Sequence, residues 1–277
     1  MTGPLTRVVI DTNFAKHPDL ERWLKRSTGN IAVLTDYFAM ESYRTGSLAG
    51  VQGMYAILSR YARQVELLHS TGKLKLLPAR ERGARRRMVD ESSTALFPKF
   101  CRALREASPG SGFDDVIRSH MEAAESELAA LEHAMDTTGR AIEGLAKAWT
   151  QQDLLSLRNP DRPLTDGVMR TTLAQIAGLA RDMFDLDSSV QLPSSIRELP
   201  YAFTFRVALC GYLGFQSRFA DGSTSALSAV KARNDLVDSM QCASALYFDD
   251  FFTDDKRARG VYAYARRLMD EIFMRAK

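Results

Sequence analysis

Asp11, Glu41, Asp235, Asp238, Asp254 and Asp255 are carboxylates in four separate stretches of the chain, and their setting suggests chemistry. Asp11 ends the apolar run of VVIDTN; Asp254 and Asp255 end that of FFTDDKRARG. No His or Cys cluster accompanies them, so the donor set is oxygen alone, which favours hard divalent ions such as Mg²⁺ or Mn²⁺ over zinc. Two such ions about 4 Å apart can turn a bound water into a nucleophile and stabilise the leaving oxygen of a phosphodiester. Thr12, Asn13 and Thr253 stand beside the acids and can orient ligands or phosphate through hydroxyl and amide groups. Asp36 is near enough to join them, although a helix N-cap explains it equally well.

The elements that must position these acids follow from periodicity. Residues 7–11 and 31–34 are short β-branched apolar runs of the kind buried on both faces of a parallel sheet. A helix is expected between them, further helices over 37–44 and 50–69, and a third strand at 74-LKLLP-78. Residues 226–248 are helix-forming, 251-FFT-253 is a brief strand, and 259–275 is the final helix. Asp11 and Asp255 then lie beyond strand carboxyl ends, where open α/β sheets bind ligands. Glu41 is carried by the helix after strand two. Asp235 and Asp238 are spaced i, i+3 and share one face of theirs.

The middle of the chain changes period. Ile117, Met121, Ala124, Leu128, Leu131, Met135, Thr138, Ile142, Leu145 and Trp149 step by four and three, a heptad seam. After the turn-rich 158-RNPDRP-163, Met169, Leu173, Ile176, Ala180 and Met183 repeat it, so an antiparallel helical hairpin is expected. An intermolecular coiled coil, and with it a homodimer, is the alternative. A further helix is expected over 200–219, and 221-DGSTS-225 reads as a loop.

At 277 residues and 45% hydrophobic, the chain can bury a substantial core. Its opening residues, MTGPLTRVVIDTN, resemble neither a secretory signal nor an Arg-rich leader, and no apolar run is long enough to span a bilayer; the expectation is a soluble cytoplasmic protein without a membrane partner. Cys101, Cys210 and Cys242 are odd in number and widely spaced, with no disulfide or zinc pattern. The formal charge of +3 permits a polyanionic partner. In 80-RERGARRR-87, Arg80, Arg82, Arg85, Arg86 and Arg87 form a candidate phosphate-binding strip, and Lys256, Arg257 and Arg259 follow the terminal aspartates closely. Both runs can equally balance local charge. Phosphate loops and the GxSxG nucleophile motif are absent from the sequence. The Arg63-to-His69 spacing, found in some metal-independent ribonucleases, falls here on an expected amphipathic helix and carries no reading.

VVIDTN with Asp11, LTDYFAMESYR with Glu41, NDLVDSMQCASAL with Asp235 and Asp238, and FFTDD together resemble the scattered acidic signature of PIN-domain nucleases. The resemblance covers about residues 5–78 and 226–277. It implies an α/β/α sandwich with a parallel sheet and a Mg²⁺ or Mn²⁺ site that cleaves RNA. Asp11, Glu41, Asp238 and Asp255 correspond to the metal-binding acids, with Asp235 as an accessory and Asp254 as a supporting neighbour or helix cap. The expected organisation is a discontinuous nuclease domain, 1–79 and 226–277, interrupted by a helical insertion, 80–225. Compact members of the family lack that insertion, which could clamp RNA, shield the site or bind a protein. Insertions of this kind occur in PIN-like proteins of phage defence and toxin-antitoxin pairs, so an inhibitory or defence-system partner is an expectation too. A catalytically silent PIN-like binding module and a structure-selective DNA nuclease are the alternatives.

Overall fold

A computed structural model describes residues 4–146, 149–157, 165–220 and 228–270. Four strands, β1 (Thr6–Ile10), β2 (Asn30–Leu34), β3 (Val65–Leu67) and β4 (Asp250–Phe252), form an all-parallel sheet in the order β3-β2-β1-β4. Helix α1 (Pro18–Arg26) joins β1 to β2. Between β2 and β3 lie α2 (Asp36–Tyr43), α3 (Leu48–Met54) and α4 (Ala56–Arg60). Between β3 and β4 come α5 (Thr71–Leu74), α6 (Ala84–Met88), α7 (Glu91–Glu106), α8 (Gly112–Ala146), α9 (Gln151–Leu157), α10 (Asp166–Leu186), α11 (Phe203–Ala220) and α12 (Ala229–Ala245). Helix α13 (Lys256–Met269) follows β4.

Helices cover both faces of the sheet, so the central strands are apolar over residues 8–10 and 31–34, as buried parallel strands are. All five residues of β2 are buried. Val9, Val33 and Phe251 face a core completed by Val207, Tyr212, Val237 and Val261 of α11, α12 and α13. On the other face Val8, Ile10, Leu34 and Val65 pack with Leu20, Val51, Leu58, Phe97 and Ile117. Fully buried side chains such as Ile10, Leu20 and Phe251 each contribute about 1.5–3 kcal/mol of transfer free energy. Residues of 80–225 enter both cores. Cys101, Cys210 and Cys242 are free and buried, and among the described residues no helix is long and apolar enough to cross a membrane.

Two expected elements are misplaced. The third strand is Val65–Leu67, not 74–78, and it pairs with β2 through Ala32, Val33 and Leu34. Residues 71–74 instead form a helical turn whose N-cap, Ser70, accepts from the Lys73 amide, and which buries Leu74. The long helix expected over 50–69 is therefore divided. Tyr55 leaves helical geometry between α3 and α4. Beyond them the Gln64 side chain donates to the carbonyls of Leu24, Ser27 and Asn30 at 2.8–3.1 Å and fixes the chain at the start of β3. Arg63 and His69 consequently flank a strand and do not share a helix.

The expected hairpin also differs. Among the described residues α8 lies along α2 and α12, while α10 lies along α11. In α8, Ile117, Ala124 and Leu128 of the seam are buried; the side chains of its continuation, Met135 to Leu145, lie outside the described residues. In α10 the buried positions are Val168, Thr172, Ile176, Ala180 and Phe184, a step of four throughout, with Met169, Leu173 and Met183 only half-buried. Ile176 and Ala180 keep their expected place, while the buried positions at the two ends lie one residue further out, since the stripe against α11 steps by four and does not alternate four and three. Residues 158-RNPDRP-163 and 221-DGSTS-225, expected as a turn and a loop, lie outside the described residues.

Candidate functional site

Asp11, the residue after β1, is extended at φ −80° and ψ 152° and makes no side-chain cap bond to the turn that follows, so its carboxylate turns instead to the sheet edge. Its amide donates to the Phe252 carbonyl at 2.9 Å, which fixes it beside the end of β4. It is only 4% exposed. Thr253 Oγ1 donates to Asp11 Oδ2 at 2.6 Å. Thr253 Oγ1 in turn accepts from the Asp255 amide at 3.0 Å, and Asn13 Oδ1 accepts from the Asp254 amide at 2.9 Å. Thr253 and Asn13 thus brace the two strand ends against each other.

Glu41 comes from α2, whose start is set by Thr35 Oγ1 accepting from the Phe38 amide at 3.1 Å. Its Oε2 accepts from Thr12 Oγ1 and, at 3.4 Å, from Gln241 Nε2. Thr12 has one hydroxyl proton; Glu41 is the closer acceptor, so the 3.3 Å approach of Thr12 to Asp11 is secondary. Asp238 comes from α12, a helix rich in buried Ser, Ala and Cys that packs on both α11 and β1. Small side chains allow that close approach, which brings Asp238 to the strand ends.

Electrostatics tie the four acids together. Burial raises the Asp238 carboxyl to about 8, and the charges of Asp11, Asp255 and Glu41 push in the same direction, against a smaller opposing effect of Arg257. Burial also raises Asp11, offset by the bonds from Thr253 and Thr12, with Asp255 adding to the rise. Glu41 is raised by burial first, then lowered by its bond from Thr12 and raised by Asp11. Asp238 therefore lies in the field of the other three acids, Asp11 in that of Asp255, and Glu41 in that of Asp11.

The other predicted residues divide. Asp235, 6% exposed, does not offer a free carboxylate: it is gripped by Arg218, with Nη2 to Oδ1 at 2.6 Å, and by Arg257. The i, i+3 spacing did put it near the site, but as the anchor of a guanidinium that stands 4.0 Å from Asp238. Arg257 is thus turned inward to the acids, while Lys256 is exposed. Within the terminal pair the roles reverse the cap expectation. Asp255 Oδ1 accepts from the Arg257 and Ala258 amides at 2.7 and 2.9 Å and caps α13, while Asp254 is exposed. Asp36 neither caps nor joins the site: it accepts from the Thr71 amide and hydroxyl at 2.6 and 3.0 Å, holding α5 in place.

The arginine strip is largely spent. Arg85 pairs with Asp249 at 2.9 Å and Arg86 with Glu91 at 3.2 Å. Arg87 donates to the carbonyls of Pro78, Arg80 and Arg82, and only Arg80 and Arg82 are exposed without such a role. Arg85 and Arg86 also line a cavity at the other end of the strands. Gln241 is the residue that the sequence reading missed. It lies three positions beyond Asp238, hence on the same face, a signal the i, i+3 rule offered.

Whether these groups suit a divalent cation can be tested on their chemistry. Gln241 Oε1 is a buried acceptor with no hydrogen-bond partner, beside a carboxylate set that is oxygen-only and mutually repelling. A hard cation would satisfy both, so the donor set fits. Its spacing is looser: among the described residues no three His, Cys, Asp or Glu side chains stand close enough to hold a metal ion. Three of the four carboxylates are turned instead onto a neighbouring donor, Asp11 onto Thr253, Glu41 onto Thr12 and Asp255 onto the α13 amides.

Comparison with known proteins gives no match to a family model, to a curated protein or to a solved structure.

Proposed function

We propose that this chain is a PIN-like nuclease that hydrolyses RNA phosphodiesters with Mg²⁺ or Mn²⁺ held by Asp11, Glu41, Asp238 and Asp255. One observation carries the reading: at the carboxyl edge of a parallel sheet Thr12 stands between Asp11 and Glu41 and Thr253 links Asp11 to the Asp255 amide, with Asp238 of α12 in the field of all three acids. The bound ions would supply Lewis acidity and an activated water. The residues of the chain do the rest. Thr253 and Thr12 hold the Asp11 and Glu41 carboxylates in fixed orientations. Asn13 pins the 253–255 turn through the Asp254 amide. Arg257, anchored on Asp235, places a positive charge next to Asp238 where a scissile phosphate would approach. Work as a toxin or phage-defence effector, restrained by an inhibitory protein, extends the same proposal and rests on the PIN resemblance.

A second reading, a catalytically silent PIN-like module that binds RNA or protein, is favoured by the loose spacing of the acids. Incubation of the purified protein with single-stranded RNA, tRNA and flap DNA, with Mn²⁺ or with EDTA, separates them. Metal-dependent cutting of RNA that is lost in Asp11→Asn is the expected result. Cutting of flap DNA alone would support a DNA nuclease, and no cutting of any substrate would leave the silent module.

A further inference from the structure

A cavity of about 910 Å³ opens on the same face of the sheet as α11 to α13, near the amino ends of the strands. Arg7, the second residue of β1, and Phe248, just before β4, line it, whereas Asp11 and Thr253 follow the opposite ends of those strands. Its size is that of pockets that hold small organic ligands, roughly 300–1,000 Å³.

Its wall contains an uncompensated charge. Arg206 of α11 is 5% exposed, yet its Nη1 has no hydrogen-bond partner. Nε donates to the Pro200 carbonyl at 2.6 Å, and the guanidinium lies 3.5 Å from the centroid of the Tyr247 ring. Those contacts fix the plane of the fork without neutralising it. The groups whose fields act on it are Tyr247, Cys210, Tyr201 and a second guanidinium, Arg266, which repels it. Arg266 also lines the cavity, and its Nη1 donates to the Phe248 carbonyl at 2.7 Å and the Tyr262 hydroxyl at 3.0 Å. Burying a guanidinium beside a second one, with a donor left unmade, is unfavourable unless an anion is present. The other arginines of the cavity differ. Arg7 is satisfied by both oxygens of Glu66 at 2.8 and 2.9 Å, Arg85 by Asp249 and Arg86 by Glu91.

We infer that this cavity is a second ligand site, one that takes a small phosphate ester with an apolar or planar body. Two neighbouring guanidiniums match the more-than-single charge and the several oxygens of a phosphate better than those of one carboxylate. Leu246, Tyr247, Phe248 and Met269 supply the apolar wall that an organic body requires, and a bare inorganic anion does not. The inference stands on residues separate from the acidic edge and does not depend on the nuclease reading.

Calorimetric titration in EDTA tests it, with AMP, ADP, pyrophosphate and citrate as probes, on the wild type, Arg206→Met, Arg266→Gln and Asp238→Asn. AMP or ADP should bind saturably, at least about tenfold more weakly in both arginine variants, and unchanged in Asp238→Asn. Met keeps the volume of the Arg206 stem, and Arg266→Gln alone decides the matter if that variant does not fold. The inference is overturned if neither nucleotide binds, if affinity survives both arginine changes, or if Asp238→Asn abolishes it. Citrate binding as tightly as ADP overturns the phosphate class, and pyrophosphate binding without AMP or ADP overturns the organic body.

Discussion

At the carboxyl ends of the strands, acids from four segments stand near one another with little cationic relief; near the amino ends, five arginines line a cavity and three of them are paired. The two regions handle the excess differently. At the acidic edge Asp11, Glu41 and Asp255 take bonds from hydroxyls and amides, and the Asp238 carboxyl is raised, by its burial first and then by the charges of the other three. In the cavity most arginines find carboxylates, and the residual is one buried guanidinium nitrogen with nothing to bond. The contrast teaches where to look for ligands. A group already matched within the fold, such as Asp235 or Arg85, stabilises; a group left over points to something from outside.

The comparison can be broken most sharply at Asp11. Asp11→Asn should lower RNA cleavage by about 10³-fold, the worth of several kcal/mol of charge stabilisation, while Arg206→Met cleaves within about twofold of the parent because distant sites act independently. Single-turnover assays would measure both, and equal losses would erase the distinction between the two ends.

Asp235 tests whether a matched acid is structural. Its removal in Asp235→Ala strands Arg218 and Arg257, and should cost about 2–3 kcal/mol in urea denaturation, the low end for a buried pair because Arg257 is a third exposed. An unchanged midpoint would mean that this pairing contributes nothing to the fold.

The raised Asp238 carboxyl gives a pH dependence with a definite sign. Its folded value, about 8, lies above the ordinary 3.8, so the native state binds the extra proton between those limits. Stability in EDTA should therefore fall as pH rises from about 4 to about 8 and level off above that. Asp238→Asn should flatten this fall, which thermal melts across the range would resolve as a difference of several degrees, at about 2–4 °C per kcal/mol. A wild type equally stable at both limits would contradict the crowding.

The smallest effect is expected for the exposed arginines. Arg80→Ala with Arg82→Ala should change stability by no more than about 0.5 kcal/mol and cleavage by no more than about twofold. A large fall in RNA affinity would instead extend the substrate path to the strip.

Much of this arrangement was legible in the residues, for reasons that can be named. VVI and IAVL are short, apolar and β-branched, so β1 and β2 were readable; Asp11 and Asp255 follow the ends of β1 and β4 and Glu41 lies on the helix after β2, which puts these three at one sheet edge, whereas Asp238 belongs to α12, which precedes β4. Position 65–67 was missed because a three-residue strand is too short to show a period and was absorbed into a neighbouring helical one. The engagement of Asp235 depends on Arg218, 17 positions away on another helix, and local spacing carries no trace of it. The cavity was invisible for the same reason: Arg7, Arg206, Tyr247 and Arg266 are assembled only by the packing of α11 and α13 on the sheet.

The central claim is that the four edge acids form one cation site. Anomalous diffraction from crystals soaked in Mn²⁺ addresses it most directly. The account predicts anomalous peaks bounded by Asp11, Glu41, Asp238 and Asp255, absent in crystals of Asp238→Asn. Saturating Mn²⁺ with no peak among those residues, or peaks only elsewhere, would contradict it.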